Sequence, residues 1–465
     1  MALHLFNTLS NRLELFQPLH DNTVRMYTCG PTVYDFAHIG NFRTFVFQDI
    51  LRRYLRYCGY TLNHVMNITD VEDKIIRNAG EAGKSLREYT EFYIAALEED
   101  TRKLRLEEPD RVVRATDHIP EMIAAIEKLG ERGMTYQSDV SVYYRIASFP
   151  GYGKLSKIDV GGMRAGARVD LDEYDKADAR DFALWKAAKP GEPYWDAPFG
   201  QGRPGWHIEC SVMSMKYLGE TLDIHTGGVD LVFPHHENEI AQSEALTGKT
   251  FVRYWLHAEF LLIEGQKMSK SLGNFYTLRD VLDKGYAPEA VRYLLASVPY
   301  RKQLNFTFDA LKSAVTAIER LRNFRLRLDT DRFEPGENPR ITEAGQEARR
   351  QFEAAMDDDL NTARALGAIF DYLRETNTAM DAGEFRADNL PGARDLLARF
   401  DGIFDVLEAT REGRLSPDEI QRAIDERLAA RKARDFARAD RIRQELAAQG
   451  VILEDTKDGT RWKYS

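Results

Sequence analysis

Three cysteines in 465 residues, Cys29, Cys58 and Cys210, are too few for a disulfide scaffold. No uninterrupted apolar run approaches the ~18 residues that mark a membrane span. The first residues lack a basic stretch followed by a long apolar segment and a small-residue cleavage site. Internal repeats and low-complexity tracts are absent as well. So is a surplus of positive charge: 74 acidic against 64 basic side chains leave a net charge of −10. On its own that balance argues against a nucleic-acid partner, because phosphate contacts need a basic surface. The expectation left by these absences is a soluble cytoplasmic protein with no membrane association.

The chain is long enough for two to four domains, and 43% apolar with 11% aromatic residues suffices for substantial cores. Charge is uneven. Between Arg427 and Arg443 seven Lys or Arg stand against two Asp, so an acidic chain could still grip RNA locally. Val24 to Cys29 alternates and is rich in β-formers, which predicts a strand. It leads through a Gly-Pro-Thr turn and a loop to a helix with Phe45, Val46, Ile50, Leu51, Tyr54 and Leu55 at helical spacing, closed at Gly59. Tyr60 to Ile68 returns as a second strand. This β-loop-helix-β unit predicts a parallel sheet with ligands at the strand carboxyl ends. A mixed-charge helix is expected from about Ser85 to Leu106. Residues 110–205 read as less regular, and eight Pro or Gly among the seventeen residues from Lys189 to Gly205 mark a loop or insertion edge. A second unit starts with a strand at Thr221 to His225, passes Gly227-Gly228 and enters a helix at Pro234, a residue favoured at the first helical position. Another strand, Phe260 to Ile263, follows. From about Leu311 the pattern is almost wholly helical, broken by a polar linker near 332–340, and the basic tail from Ser416 ends in a β-like piece at Val451 to Asp455.

Two short signatures carry chemistry. His38-Ile39-Gly40-Asn41 sits at a loop-to-helix junction, where backbone N–H groups and the positive end of the helix dipole favour phosphate and where Gly40 lets a flat base approach. Lys267-Met268-Ser269-Lys270-Ser271 places two lysines in a short polar loop, able to neutralise phosphates as charge moves onto leaving pyrophosphate. Standing alone, the first is better explained by a histidine that simply caps or packs. An intact pentapeptide downstream on the same two-part sheet is far more specific.

The pair resembles the HIGH and KMSKS signatures of class I aminoacyl-tRNA synthetases. The surroundings, Met26 to Asp35, Arg203 to Cys210 and Phe233 to Glu239, are similar to the cysteine-specific members, and the resemblance covers nearly the whole chain. It implies an α/β fold: a Rossmann-like parallel-sheet catalytic domain with an insertion, then an α-helical bundle and a small C-terminal domain. The expected division is 1–118 and 203–265 for the two catalytic halves, 119–202 for the connective insertion, 266–310 for the KMSKS-loop and stem-contact region, 311–406 for the bundle and 407–465 for anticodon binding. One departure is visible: the fourth position of the first signature is Asn41 rather than His, which can donate a hydrogen bond to phosphate but carries no charge.

Pro234 to Glu239 has a spacing argument of its own. On a helix His235 and Glu239 lie at i and i+4, a metal-ligand arrangement, while His236 and Glu239 at i and i+3 serve as well. The spacing leaves the histidine open, and a solvated acidic helix start is the bland alternative. The resemblance implies zinc on Cys29, Cys210, His235 and Glu239, with Cys58 a packing residue. Zinc would recognise substrate cysteine as thiolate, a distinction from serine that size exclusion of roughly 10–200-fold per methylene cannot supply. No editing insertion is expected.

The resemblance further implies two steps: cysteine plus ATP, with Mg²⁺, gives cysteinyl adenylate and pyrophosphate, and the 3′ end of tRNA(Cys) then takes the cysteinyl group. His38 and Asn41 would hold phosphates, and Lys267 and Lys270 would stabilise pyrophosphate, with Gly40 and Ser269 completing the ATP site. Gly228 and Asp230 would lie at the ribose, and Tyr27, Gly30, Thr69, Trp206 and His225 in the amino-acid pocket, where core packing is nearly as good a reading for Trp206. Arg427, Arg431, Arg434 and Arg438 are the candidate tRNA contacts. A monomer is the expected form. The rival reading is a cysteine ligase of the mycothiol pathway, which shares the catalytic half but passes cysteine to an amino sugar and needs no basic tail. A catalytically dead, RNA-binding paralogue is a second rival, disfavoured by the complete signatures.

Overall fold

In the computed structural model the described residues are 2–158, 180–269, 272–408, 417–456 and 459–464. Lys270 and Ser271 of the second signature lie outside them. Five parallel strands form the central sheet: β1 (Thr23–Thr28), β2 (Thr61–Ile68), β3 (Arg111–Arg114), β4 (Leu222–Gly228) and β5 (Val252–Ala258). Their spatial order is β3-β2-β1-β4-β5, so the winding reverses between β1 and β4. Ligands of such open sheets bind outside the strand carboxyl ends at that reversal. Tyr27 pairs with His225 across it, and Thr28 with Thr226.

Helix α1 (Ile39–Tyr57) follows β1 and buries Val46, Ile50, Leu51, Tyr54 and Leu55, the apolar stripe expected from spacing. Helix α2 (Trp206–Leu218) precedes β4. Its buried Ile208 and Cys210 share a core with Tyr27, Cys29 and Trp255.

Two expectations are corrected here. Within 110–205 the described residues are more regular than the composition suggests: helix Ile119–Glu131 is followed by a four-stranded antiparallel sheet of Thr135–Ser138, Ser141–Tyr144, Phe182–Ala187 and Gly202–Pro204. Strands of three to six residues are too short to show a period, and the last lies inside the Pro/Gly-rich run. The second correction concerns Pro234. It does not open the α-helix; Phe233 is extended, residues Val232–His236 make a π-helical turn, and α3 runs Glu237–Thr247.

Beyond the sheet, α4 (Pro288–Ala296) and α5 (Leu390–Phe404) are tied to α1 by Arg292. This fully buried guanidinium pairs with Asp49 on α1 and donates to the carbonyls of Phe404 at 2.6 Å and Leu104 at 3.0 Å. Burial alone would raise the Asp49 carboxyl, but Arg292 and Arg53 outweigh it and hold it below the ordinary carboxylate range.

The chain divides into two compact units, Met1–Asp405 and Val406–Ser465. In the second, α6 (Pro417–Lys432) and α7 (Phe436–Ala448) pack with an antiparallel hairpin, Val451–Thr456 and Gly459–Tyr464, around Ile420, Ile424, Leu446 and Leu453.

Candidate active site and metal centre

The first signature caps α1. His38 Nδ1 accepts from the Asn41 N–H at 3.2 Å, and Asn41 Oδ1 accepts from the His38 N–H at 3.0 Å, a reciprocal capping box. Because Nδ1 accepts, the proton of a neutral His38 ring sits on Nε2, which is a donor. Asn41 uses only its carbonyl oxygen in the cap, so the –NH₂ end remains outside it. Gly40 is required by close approach: a Cβ there would come within 2.9 Å of the His38 ring and 3.1 Å of the Met268 methyl. That contact brings the two signatures together across more than two hundred positions. The backbone strengthens the link, with the Ile39 N–H donating to the Tyr276 carbonyl at 3.0 Å. Asn274 closes the second loop, accepting from the Ser269 N–H at 2.8 Å and donating to the Lys267 carbonyl at 3.1 Å. The Lys267 side chain is exposed.

At the carboxyl ends of β1 and β4 lies a fully enclosed set of metal-ligating groups. Cys29 follows β1, Cys210 lies on α2, His235 and His236 on the π-helical turn, and Glu239 in the first turn of α3. Cys29 Sγ stands 3.7 Å from Cys210 Sγ and 3.6 Å from Glu239 Oε1, and His235 Nε2 lies 3.1 Å from the same oxygen. A tetrahedral zinc with bonds of roughly 2.0–2.3 Å has ligand–ligand edges of about 3.3–3.8 Å; the two sulfur separations fall in that range and the His235–Glu239 distance lies just short of it. A second set overlaps the first. His225 Nε2 and His236 Nε2 approach Cys29 Sγ to 3.4 and 3.3 Å, and together with Glu239 these groups also converge.

Electrostatics fit a cation. Burial, followed by Cys210, raises the Cys29 thiol well above its ordinary value, and the same two causes push the Glu239 carboxyl up to about 8. Burial drives the His225 and His236 rings well below theirs, so neutral imidazoles are left to offset nothing. Glu239 Oε2 and His225 Nδ1 are buried without a hydrogen-bond partner among the described residues. A divalent ion would satisfy a cluster that is otherwise costly to bury.

Several of these neighbours escape sequence reasoning. His207 Nδ1 sits 2.9 Å from His235 Nδ1, and His257 Nε2 sits 2.8 Å from His236 Nδ1 while its own Nδ1 meets Thr8 Oγ1 at 2.8 Å. Such outer partners fix the orientation of ligating imidazoles. His207 lies in the quoted run from Arg203 to Cys210, but His257 has no sequence signal at all. Trp206 stacks on His235 with centroids 4.2 Å apart, and His225 stacks on Trp255 at 4.5 Å. Tyr27 and Thr69 are buried beside this cluster. Gly30 permits another close approach, since its Cβ would fall 1.7 Å from the Asn67 carbonyl oxygen. Gly228 and Asp230 adjoin one another at the end of β4.

The basic residues of the tail are not equivalent. Arg427 is buried and makes a two-pronged pair with Asp455, both contacts 2.8 Å. Arg431 reaches the same carboxylate at 3.3 Å, and Arg438 pairs with Glu426. Arg434 stands exposed at the turn between α6 and α7.

Comparison with known proteins agrees with this architecture. The fold is that of the class I aminoacyl-tRNA synthetases: a Mycobacterium tuberculosis methionyl-tRNA synthetase in complex with methionyl-adenylate superposes with a TM-score of 0.60 over 83% of this chain and 90% of that one, at 14% identity. A putative arginyl synthetase from Campylobacter jejuni superposes at 0.55 over 85% and 94%, at 16% identity. The family model for the class I (C) synthetase catalytic domain matches residues 15–316, the DALR domain matches 351–408, and the cysteinyl-tRNA ligase anticodon binding domain matches 415–462. Cysteine–tRNA ligase of Solibacter usitatus is 65% identical and that of Koribacter versatilis 55%, each over the full length of both chains. The chain belongs to the cysteine–tRNA ligase family. No helix among the described residues is long and apolar enough to cross a membrane.

Proposed function

We propose that this protein activates L-cysteine with ATP to give cysteinyl adenylate and pyrophosphate, and then transfers cysteine to the 3′ end of tRNA(Cys), working in the cytoplasm. The observation that carries this reading is the buried cluster of Cys29, Cys210, His235 and Glu239 beside a helix cap built for phosphate. Zinc is the ion its donor chemistry suits, and it would take the substrate's sulfur as thiolate, a form that serine's hydroxyl reaches only at far greater cost. Between the two overlapping sets we assign the one with two thiols, since soft thiolate favours zinc; outer histidines orient the His235 and His236 rings alike and do not decide it.

The remaining work is positioning and electrostatics. The His38 Nε2–H and the Asn41 amide are donors for ATP phosphates at the α1 N-terminus, with Gly40 and Ser269 keeping the backbone close. Lys267 and Lys270 would offset charge as it moves onto pyrophosphate, and Mg²⁺ on the nucleotide would supply further positive charge there. Gly228 and Asp230 face the ribose. Tyr27, Gly30, Thr69, Trp206 and His225 frame the amino acid around the metal ligands. In the terminal unit, exposed Arg431, Arg434 and Arg438 are the direct candidates for RNA phosphate, whereas buried Arg427 acts largely by holding the fold on which they stand. Residues 119–202 serve as the connective insertion between the catalytic halves 1–118 and 203–265; 266–310 and 311–406 receive the acceptor stem and support it, and 407–465 reads the anticodon.

The acceptor assay tests this. Purified protein given cysteine and ATP should charge total tRNA with cysteine and leave amino sugars uncoupled. Coupling to an amino sugar with no tRNA charging would replace this reading with the rival ligase.

A further inference from the structure

The first turn of α3 carries a carboxylate that the metal cluster does not use. Glu237 stands between His236 and Glu239 and is fully buried. An acidic side chain at a helix start ordinarily serves the free N–H groups of its own helix. Glu237 instead gives both oxygens to a loop at 152–156, between the second and third strands of the antiparallel sheet. Its Oε1 accepts from the Gly153 N–H at 2.9 Å, and its Oε2 from the Leu155 and Ser156 N–H groups at 3.0 and 2.7 Å. Among the described residues no Lys or Arg pairs with it, so backbone amides of one loop hold this buried charge. The Tyr152 hydroxyl adds a fourth tie by donating to Asn238 Oδ1. Tyr152 and Leu155 also share the core that contains Cys210 and Ile240.

The backbone held in this way is the one that presents the metal ligands. Val232–His236 make a π-helical turn with Phe233 extended, and His236, just before α3, forms no side-chain cap. A single π-turn lacks the regular ladder that fixes the direction of an α-helix. What packs against the start of α3 must therefore set where His235 and Glu239 point. Helix positions two apart lie about 200° apart around the axis, so Glu237 and Glu239 face nearly opposite sides. Glu239 faces Cys29 and His235 on one side. Glu237 is gripped by the loop on the other.

We infer that Glu237 is a positioning residue for the metal centre: by clamping the 152–156 loop to the start of α3, it fixes the direction in which His235 and Glu239 offer their ligand atoms. This rests on the zinc reading above. Hydrogen bonds to an ionised carboxylate are roughly twice as strong as neutral ones, which suits a clamp on irregular backbone. The loop side has its own requirement. Gly153 has φ of +92°, a conformation that a side chain would strain.

The test is metal affinity and ligand geometry in the full-length protein. Zinc affinity is measured by chelator competition, and the visible d–d bands of cobalt in place of zinc report the arrangement of the ligands. Glu237→Gln puts an amide nitrogen, which cannot accept, against backbone donors. It should lower zinc affinity about 10- to 100-fold, the range for support one step removed from a ligand, and should shift the cobalt bands. Gly153→Ala should reproduce both changes from the loop side. Tyr152→Phe removes only one hydroxyl and keeps the fold, and it should lower zinc affinity roughly 2- to 10-fold. Support for the fold alone would lower thermal stability in these variants and leave zinc affinity and the cobalt bands as in the parent. That result would overturn the assignment. A parent protein that binds neither zinc nor cobalt would instead overturn the underlying reading.

Discussion

The sulfur atoms of Cys29 and Cys210 lie 3.7 Å apart, although 181 positions separate them in the chain. A disulfide would need about 2.05 Å. Two thiolates on one tetrahedral zinc at ~2.3 Å bonds stand about 3.7–3.8 Å apart. The spacing is one that a shared ion would accept, and the reversal of strand order between β1 and β4 is what brings the two residues together.

Metal content should follow from this. The purified protein should hold about one equivalent of zinc by elemental analysis, and Cys29→Ser and Cys210→Ser should each lose most of it. His235→Ala should lose it as well, while His236→Ala should retain the ion with affinity lowered roughly 10- to 100-fold, as for an outer partner. Cys58→Ser should behave as the parent. Zinc retained in both cysteine variants would remove the assignment.

Gly40 offers a test of the junction between the signatures. A methyl group there meets the His38 ring and Met268, so Gly40→Ala should displace the cap and slow adenylate formation, on the order of 100-fold for a misplacement of this kind. Lys270→Ala should slow the same step by roughly 2–4 kcal/mol of lost transition-state stabilisation, with cysteine binding little changed. Single-turnover measurement of adenylate checks both. A parent-like rate in either variant contradicts the role given to that residue.

Asp49 and Arg292 make stability depend on acid. The folded-state pKa of Asp49 is depressed, so its contribution is present above the ordinary carboxylate range and is lost as pH falls through and below it. Arg292→Met leaves Asp49 buried with less compensation and should cost about 3–5 kcal/mol at neutral pH, the gap narrowing as the carboxyl is protonated in acid. Denaturant titrations of parent and variant between pH 7 and pH 3 would reveal it. A constant gap would mean that the pair is not what the variant disrupts.

How much of this could be read from the sequence varied with element length. Strands β1 and β2 and helix α1 agree within a residue or two, because their apolar patterns are long and bounded by turns, whereas β4 runs three residues past the expected His225 to Gly228. The insertion's sheet did not, since its strands are short and its last one is mostly Pro and Gly. The start of α3 was misplaced because Pro234 suits a first helical turn, yet extended Phe233 and the π-helical turn delay it to Glu237. For the metal centre, spacing left His235 and His236 equivalent, and the structure brings both to Cys29 or Glu239. The imidazoles of His207 and His257 reach the site from α2 and β5, a convergence that only the folded sheet creates.

The terminal unit separates folding from recognition. Arg427→Ala should lower the stability of that unit, by about 1–2 kcal/mol once the partial exposure of Asp455 is allowed for. Arg434→Ala should leave stability alone and weaken tRNA binding with a shallower salt dependence. Ending the chain near Glu408 should preserve pyrophosphate exchange and sharply reduce tRNA charging. Unchanged charging by the truncated protein would exclude the tail from recognition.

On the proposed function this site activates cysteine and distinguishes it from serine through the metal cluster. ATP–pyrophosphate exchange measures it directly, run with cysteine and with serine on the same zinc-loaded protein. Exchange should depend on cysteine, be near background with serine at any attainable concentration, and collapse when zinc is removed. Comparable exchange with serine, or full cysteine-dependent exchange in metal-free protein, would contradict the account.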